Sequence, residues 1–283
     1  MSLQPILDDC SLSSATYSVV TGGDINQAFS LRCRGSQYFL KVNDAARFPN
    51  MFVAEENGLQ ALSASSFRTP FVVKNGVTDG KQYLLLKWID SGRHTAAFWK
   101  TFGRSLANLH AGKQPSFGWH ENNYIGSLVQ RNDVCDNWQD FFTQYRVMPL
   151  VKMLRDATKY AAADVLLAEK FCKTAGDIFP QEKPSLLHGD LWRGNLMVDE
   201  NDQPVLIDPA VYCGHREIDI AMTKLFGGFD PVFYSEYCNA FPLEKGWEKR
   251  LPVCQLYPLL VHAVLFGGAY VRQTLTIIKQ MTT

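Results

Sequence analysis

Apolar residues alternate or run in short blocks up to about residue 90 and recur at helical spacing beyond it, which restricts this chain to a fold with two unequal parts. Segments 17–20, 28–33 and 38–42 read as strands, with Gly22-Gly23 and Arg34-Gly35-Ser36 as the turns between them. A helix over 54–63 follows, with Glu55, Leu59 and Leu62 on one face. Two more strands are expected over 71–74 and 82–89, separated by the turn-rich stretch 75–80. Beyond residue 90 the spacing predicts helices over 95–110, 138–155 and 161–175. A strand pair over 196–198 and 205–207 interrupts them, joined by the polar turn Asp199-Glu200-Asn201-Asp202, and helix resumes to the C-terminus. The expected class is α+β and bilobal: a small β-rich N-terminal lobe over 1–87 and a larger, mainly helical C-terminal lobe over 88–283.

Composition removes several function classes. Lys plus Arg and Asp plus Glu number 28 each among 283 residues, so the formal charge is zero. A nucleic-acid-binding surface would need a basic excess, and none is present. Seven cysteines are scattered with no CxxC pair and an odd total, which argues against a disulfide framework or a zinc site and for reduced thiols in a cytosol. No basic-then-apolar leader opens the sequence, so a cytoplasmic location is expected. The most apolar stretch, 256–278, contains Pro258, His262, Gly267, Gly268 and Arg272. It is too interrupted to span a bilayer and is expected to be a buried core helix, without a membrane partner.

The strongest chemical signal is His188-Gly189-Asp190, with Asn195 five residues after the Asp, then an apolar hairpin, then Asp208. Phosphoryl transfer needs a carboxylate in reach of the acceptor hydroxyl's proton, and oxygen ligands that hold magnesium against nucleotide phosphates. Asp190 suits the first role; Asn195 and Asp208 suit the second, because the hairpin returns Asp208 beside Asn195. His188 is expected to fix the loop by bonding backbone carbonyls. Upstream, Gly22-Gly23 would let backbone N–H groups approach phosphate oxygens. Lys41 sits centrally in an apolar strand, where its charge needs a partner. Glu55 supplies one from the apolar face of the next helix, whereas Glu56 lies about 100° around it. The backbone of Lys87, Trp88, Ile89 and Asp90 would connect the lobes and meet the adenine edge. Together these features outline a protein-kinase-like fold using ATP and Mg2+.

The residues carrying a closer resemblance span nearly the whole chain. They include Gly22-Gly23-Asp24-Ile25-Asn26-Gln27-Ala28, Phe39-Leu40-Lys41-Val42-Asn43, Tyr124-Ile125-Gly126, Leu187 to Asn195, Ile207-Asp208-Pro209-Ala210 and Leu265-Phe266-Gly267-Gly268. On these the chain resembles the fructosamine (ketosamine-3-) kinase family, which shares its fold with aminoglycoside and choline kinases. The resemblance implies phosphorylation of the sugar 3-hydroxyl of ketosamines, free or on protein amines, giving a product that falls apart and releases the amine. It also implies that Trp192 and His262 belong to the sugar site, and that Asp219 and His215 anchor the segment after Asp208.

Compared with eukaryotic protein kinases, Gly189 replaces an arginine, Asp208-Pro209-Ala210 replaces Asp-Phe-Gly, and no Ala-Pro-Glu follows. A new activation-loop phosphate would have no arginine receiver in this loop, so constitutive competence is expected. Asp24 stands where some family members carry a cysteine, so redox control through that loop is not expected. Two alternatives stay open at this level: an aminoglycoside- or choline-type phosphotransferase, and a nucleotide-binding pseudokinase scaffold. The balance of charges over 93–183 weighs modestly against an acidic site for polycations, and the joint presence of Lys41, Asp190, Asn195 and Asp208 weighs against a scaffold.

Overall fold

The structure, a computed structural model, describes residues 2–21, 25–65 and 67–282. The expected phosphate-loop glycines Gly22 and Gly23 lie outside the described residues. Helix α1 (Gln4–Asp9) precedes strands β1 (Thr16–Val20), β2 (Gln27–Cys33) and β3 (Ser36–Asp44). Helix α2 (Met51–Ala64) and strands β4 (Val72–Thr78) and β5 (Lys81–Lys87) complete this half. The five strands form one antiparallel sheet in the order β1-β2-β3-β5-β4. Two-residue turns close two of its hairpins, Arg34-Gly35 and Asp79-Gly80, and all four residues have positive φ. That is the type I′ geometry whose twist matches flanking strands, with glycine in the position least tolerant of a side chain.

Strand alternation decides what each sheet face meets. Leu40, Val42, Tyr83 and Leu85 pack with Leu3, Ile6 and Leu7 of the α1 region on one face. Leu84 and Leu86 pack with Met51, Phe52 and Leu59 of α2 on the other. Lys41, between Leu40 and Val42, therefore faces α2. The stretch 75–80 differs from expectation, since β4 continues to Thr78 and only Asp79-Gly80 turns. Gly76 is in the strand because the buried Tyr83 ring covers it: a Cβ there would lie 2.7 Å from Tyr83 Cζ.

The other half begins with α3 (Ala96–Ala111) and the hairpin β6 (Asn123–Ile125) and β7 (Leu128–Gln130). The expected helix over 138–155 is α4 (Trp138–Phe141), a π-helical stretch (Phe142–Val147) and α5 (Met148–Asp156). Pro149 lacks the N–H that would bond the Tyr145 carbonyl, and Arg146 Nη1 donates to that carbonyl instead (3.2 Å). Next come α6 (Ala162–Thr174), β8 (Ser185–Leu187), β9 (Leu196–Val198), β10 (Pro204–Leu206) and β11 (Tyr212–Gly214). Helices α7 (Glu217–Leu225), α8 (Pro231–Ala240), α9 (Trp247–Leu265) and α10 (Ala269–Thr282) end the chain. The stretch 256–278 is thus two helices, broken where Gly267 and Gly268 take positive φ. No helix among the described residues is long and apolar enough to cross a membrane.

This is the α+β, bilobal, kinase-like arrangement that the change of period implies. The halves meet through backbone as well as side chains: Leu206 N–H donates to the Arg68 carbonyl (3.0 Å), and the Arg68 guanidinium pairs with buried Asp199.

Gly76→Ala separates two effects. Higher strand propensity alone would stabilise by about 0.5–1 kcal/mol, whereas overpacking a filled site costs ~1–3 kcal/mol. Contact with Tyr83 makes the second effect larger, so the denaturant midpoint is expected to fall. An unchanged or raised midpoint would contradict the packing described.

Candidate active site

Lys41 is 6% exposed. Its Nζ bonds Glu55 Oε1 at 2.6 Å and also Asp208 Oδ1, so three elements far apart in sequence converge on one ammonium. Glu56 is turned elsewhere, accepting from Asn75 Nδ2 at 3.0 Å. Burial disfavours the Lys41 charge, but the carboxylates of Asp208 and Glu55 outweigh it and hold the Lys41 pKa above its usual value.

The loop 188–195 is held from three sides. His188 Nε2–H donates to the Ile207 carbonyl (3.0 Å), and His188 Nδ1 accepts the Asp190 N–H (3.2 Å). These bonds fix the neutral tautomer, and burial lowers the His188 pKa in the same sense. The carboxylate of Asp219, fully buried on α7, accepts the backbone N–H groups of His188 (2.7 Å) and Gly189 (3.0 Å). Asp219 thus holds the residues before Asp190, where the resemblance implies an anchor for the segment after Asp208. Gly189 has φ +84°, and a Cβ there would collide with the Ala210 carbonyl, so a side chain has no room. Ala210 N–H in turn donates to the His188 carbonyl (2.9 Å).

Asn195 Nδ2 donates to both Asp190 Oδ2 and the Asp190 carbonyl, each at 2.9 Å. Ile207 N–H donates to the Asn195 carbonyl (3.1 Å), so the β9–β10 hairpin does return Asp208 to this loop. Burial pushes the Asp190 carboxyl up to about 7; the Asn195 amide opposes this, and the negative charges of Asp208 and Asp219 add to it.

A cavity of about 510 Å³ opens over these groups and is lined by Lys41, Glu55, Asp190, Asn195 and Asp208. Trp192, Phe226 and His262 line it too: Trp192 lies edge-on to Phe226 (5.8 Å), and Phe226 lies 5.1 Å from the His262 ring. His262 Nδ1–H donates to the Pro258 carbonyl (2.7 Å), so Nε2 is the ring nitrogen not used in that bond. Lys87, Trp88, Ile89 and Asp90 connect β5 to α3 but do not line this cavity. The Lys87 and Trp88 N–H groups are committed to Phe71 and Gln37 carbonyls. Sequence reasoning assigned no role to Phe226 or to the β6–β7 hairpin, whose Asn123 to Ser127 line the cavity wall. Short strands of three residues leave no periodicity to detect, and the Tyr124-Ile125-Gly126 block was the one available signal.

The sequence profile described as fructosamine kinase matches residues 8–283. The chain belongs to the fructosamine kinase family. It is 39% identical over 275 residues to a probable ketoamine kinase of Enterococcus faecium, covering 95% of this chain and 96% of that one. It is 35% identical over 268 residues to a chloroplastic protein-ribulosamine 3-kinase of Arabidopsis thaliana, covering 92% and 80%. A crystal structure of a putative fructosamine-3-kinase from Haemophilus somnus superposes with a TM-score of 0.86 at 26% identity, covering 100% of this chain and 97% of the other.

Asp219→Ala orphans two buried backbone N–H groups at ~1–3 kcal/mol each. Chemical denaturation is expected to show a loss of about 2–6 kcal/mol in this fructosamine kinase family member. A loss under about 1 kcal/mol, the ordinary worth of one net hydrogen bond, would mean that the carboxylate does not hold the loop.

Proposed function

We propose that this chain transfers the γ-phosphoryl group of ATP to the sugar 3-hydroxyl of a ketosamine, a fructosamine or ribulosamine adduct that is free or carried on a protein amine. Asp190 is the base. The observation carrying the reading is the lining of the cavity: a carboxyl tuned near neutrality shares it with the Lys41–Glu55–Asp208 cluster and with the aromatic rings of Trp192 and Phe226.

The hydroxyl proton passes to Asp190 as the sugar oxygen attacks phosphorus; the bond to the bridging oxygen breaks, and its electron pair leaves with ADP. Lys41, braced by Glu55, meets the phosphates. The lobe boundary falls at 87/88, and of the connector backbone the Ile89 and Asp90 N–H groups, which donate to no described residue, meet the adenine edge. Asn195 and Asp208 suit Mg2+: the Asn195 amide nitrogen is fully engaged, so its oxygen is available, and Asp208 is half-exposed in the cavity. Held by Asn195 and Asp208, Mg2+ would supply positive charge against the nucleotide phosphates. Trp192 and Phe226 offer ring faces to the sugar, and His262 Nε2 accepts from a sugar hydroxyl.

Among the described residues, the carboxylates lining the cavity (Glu55, Asp190 and Asp208) are all assigned, which leaves none of them for the ammonium groups of an aminoglycoside and favours the ketosamine. Release of the amine from the unstable product makes the role one of deglycation repair, in the cytoplasm where ATP is available.

A coupled ADP-release assay across ribulosamines, fructosamines, choline and an aminoglycoside tests the acceptor. Turnover of the ketosamines is expected, and turnover of another amine alone would sink the reading. Asp190→Asn should abolish turnover while ATP binding persists and the melting temperature is not lowered; undiminished turnover would remove Asp190 as the base, and equal function of both forms without turnover would favour a scaffold. Because Asp190 must be unprotonated to accept the proton, kcat/KM for the sugar is expected to fall about tenfold per unit as pH drops below about 7. A flat profile from pH 5 to 8, spanning both the ordinary carboxylate range and neutrality, would remove Asp190 as the base.

A further inference from the structure

We infer that Asn123 and Gln130, paired across the β6–β7 hairpin, are positioning residues that fix the segment after Asp208 and so set the enzyme's affinity for metal-bound nucleotide; the inference rests on the kinase reading above.

Both side chains are buried, 4% and 2% exposed, in a carboxamide network aimed at backbone. Asn123 Nδ2 donates to the Val211 carbonyl (2.7 Å), and Gln130 Nε2 donates to the Ala210 carbonyl (3.0 Å). Gln130 Nε2 also donates to Asn123 Oδ1 (2.7 Å), and Gln130 Oε1 accepts the Tyr257 hydroxyl (2.6 Å). Every polar atom of the Gln130 side chain is thus oriented, and rotation of its amide would break three bonds.

Behind this pair stands Arg146, fully buried on the π-helical stretch. Its Nη2 donates to Asn132 Oδ1 (2.6 Å), Nη1 donates to the Arg131 carbonyl (2.6 Å), and Asn132 Nδ2 donates to Asn123 Oδ1 (3.0 Å). Among the described residues no carboxylate pairs with Arg146; its guanidinium lies 4.0 Å from the Tyr212 ring centre and 4.5 Å from that of Phe141. A buried arginine spent on holding amide oxygens is costly, and a π-helical stretch is a frequent mark of functional pressure.

Asp208 needs such support. Its φ is +53°, a left-handed conformation that a non-glycine residue keeps only where its surroundings over-determine it. The Ala210 N–H is tied to the His188 carbonyl, and the Ala210 and Val211 carbonyls are tied to the hairpin, so the chain leaving Asp208 is held on both sides. The hairpin region also lies against α2: the Tyr124 hydroxyl donates to the Pro49 carbonyl just before that helix (3.0 Å), and Asn57 Nδ2 on it donates to Glu121 Oε1 just before β6 (2.9 Å).

The test uses the full-length protein and reads Mg2+-dependent ADP binding by titration calorimetry, with hydrogen exchange of residues 209–214. Gln130→Ala and Asn123→Ala are each expected to raise the Mg2+ concentration for half-maximal ADP binding about tenfold and to speed exchange of that segment, and Gln130→Ala, which lies off the cavity wall, is expected to leave metal-free ADP binding unchanged. Tyr257→Phe, which keeps its ring and the fold, should shift both readouts in the same direction by about threefold. Folded variants with wild-type half-saturation and exchange overturn the inference. If the alanine variants do not fold, unmoved values for Tyr257→Phe overturn it. Wild-type protein that binds no Mg·ADP overturns the kinase reading and this inference with it; wild-type binding with unmoved variants overturns the inference alone.

Discussion

Lys41 is a buried cation, and the rest of the structure is arranged so that it is never unpaired. A lone ammonium at that depth would be neutralised or would unfold the strand, and several kcal/mol of desolvation must be offset by opposite charge in good geometry. Strand alternation turns Lys41 toward α2, where Glu55 waits on the inner face. Its second partner, Asp208, comes from the other half of the chain, so the charge that would engage phosphate also joins the two lobes. Removing Lys41 would leave two carboxylates facing each other.

Asp190 has the opposite problem, and the fold solves it differently. Among the described residues no cation pairs with it and Asn195 is the one donor to its carboxylate, while burial and two neighbouring carboxylates work against ionisation. That environment costs stability and is suited to a base working near neutral pH. The loop tolerates the cost because its backbone is bonded independently of Asp190, through Asp219 to His188 and Gly189 and through His188 to Ile207. Positioning and chemistry are thus divided between different carboxylates.

Much of this was legible in the sequence because the deciding features are local. Period two around Lys41 gives its facing, and the helical spacing of Glu55, Leu59 and Leu62 gives the partner face. An apolar hairpin between Asn195 and Asp208 brings the two together. What escaped depends on contacts between distant segments. Gly76 reads as a turn until the Tyr83 ring covering it is known. Which amides of the connector 87–90 are bonded to neighbouring carbonyls, those of Lys87 and Trp88, depends on Phe71 and Gln37 and has no signal in the segment itself. Strands of three residues, such as β6 and β7, carry no period at all, and Phe226 joins Trp192 and His262 only through the packing of α7 against α9.

The expectation of constitutive competence gains a physical basis here. Every residue from Pro209 to Thr223 is buried, and the segment from Asp208 to α7 runs straight into the core with no serine or threonine in it. Tyr212, the one hydroxyl there, is fully buried beneath Arg146. Phosphorylation acts by giving an exposed loop a charge to pair, and this stretch is buried. On the α2 side, Gly58 packs against Pro209, with Pro209 Cγ 3.1 Å from where a Cβ would stand, so the helix carrying Glu55 rests directly on the segment carrying Asp208.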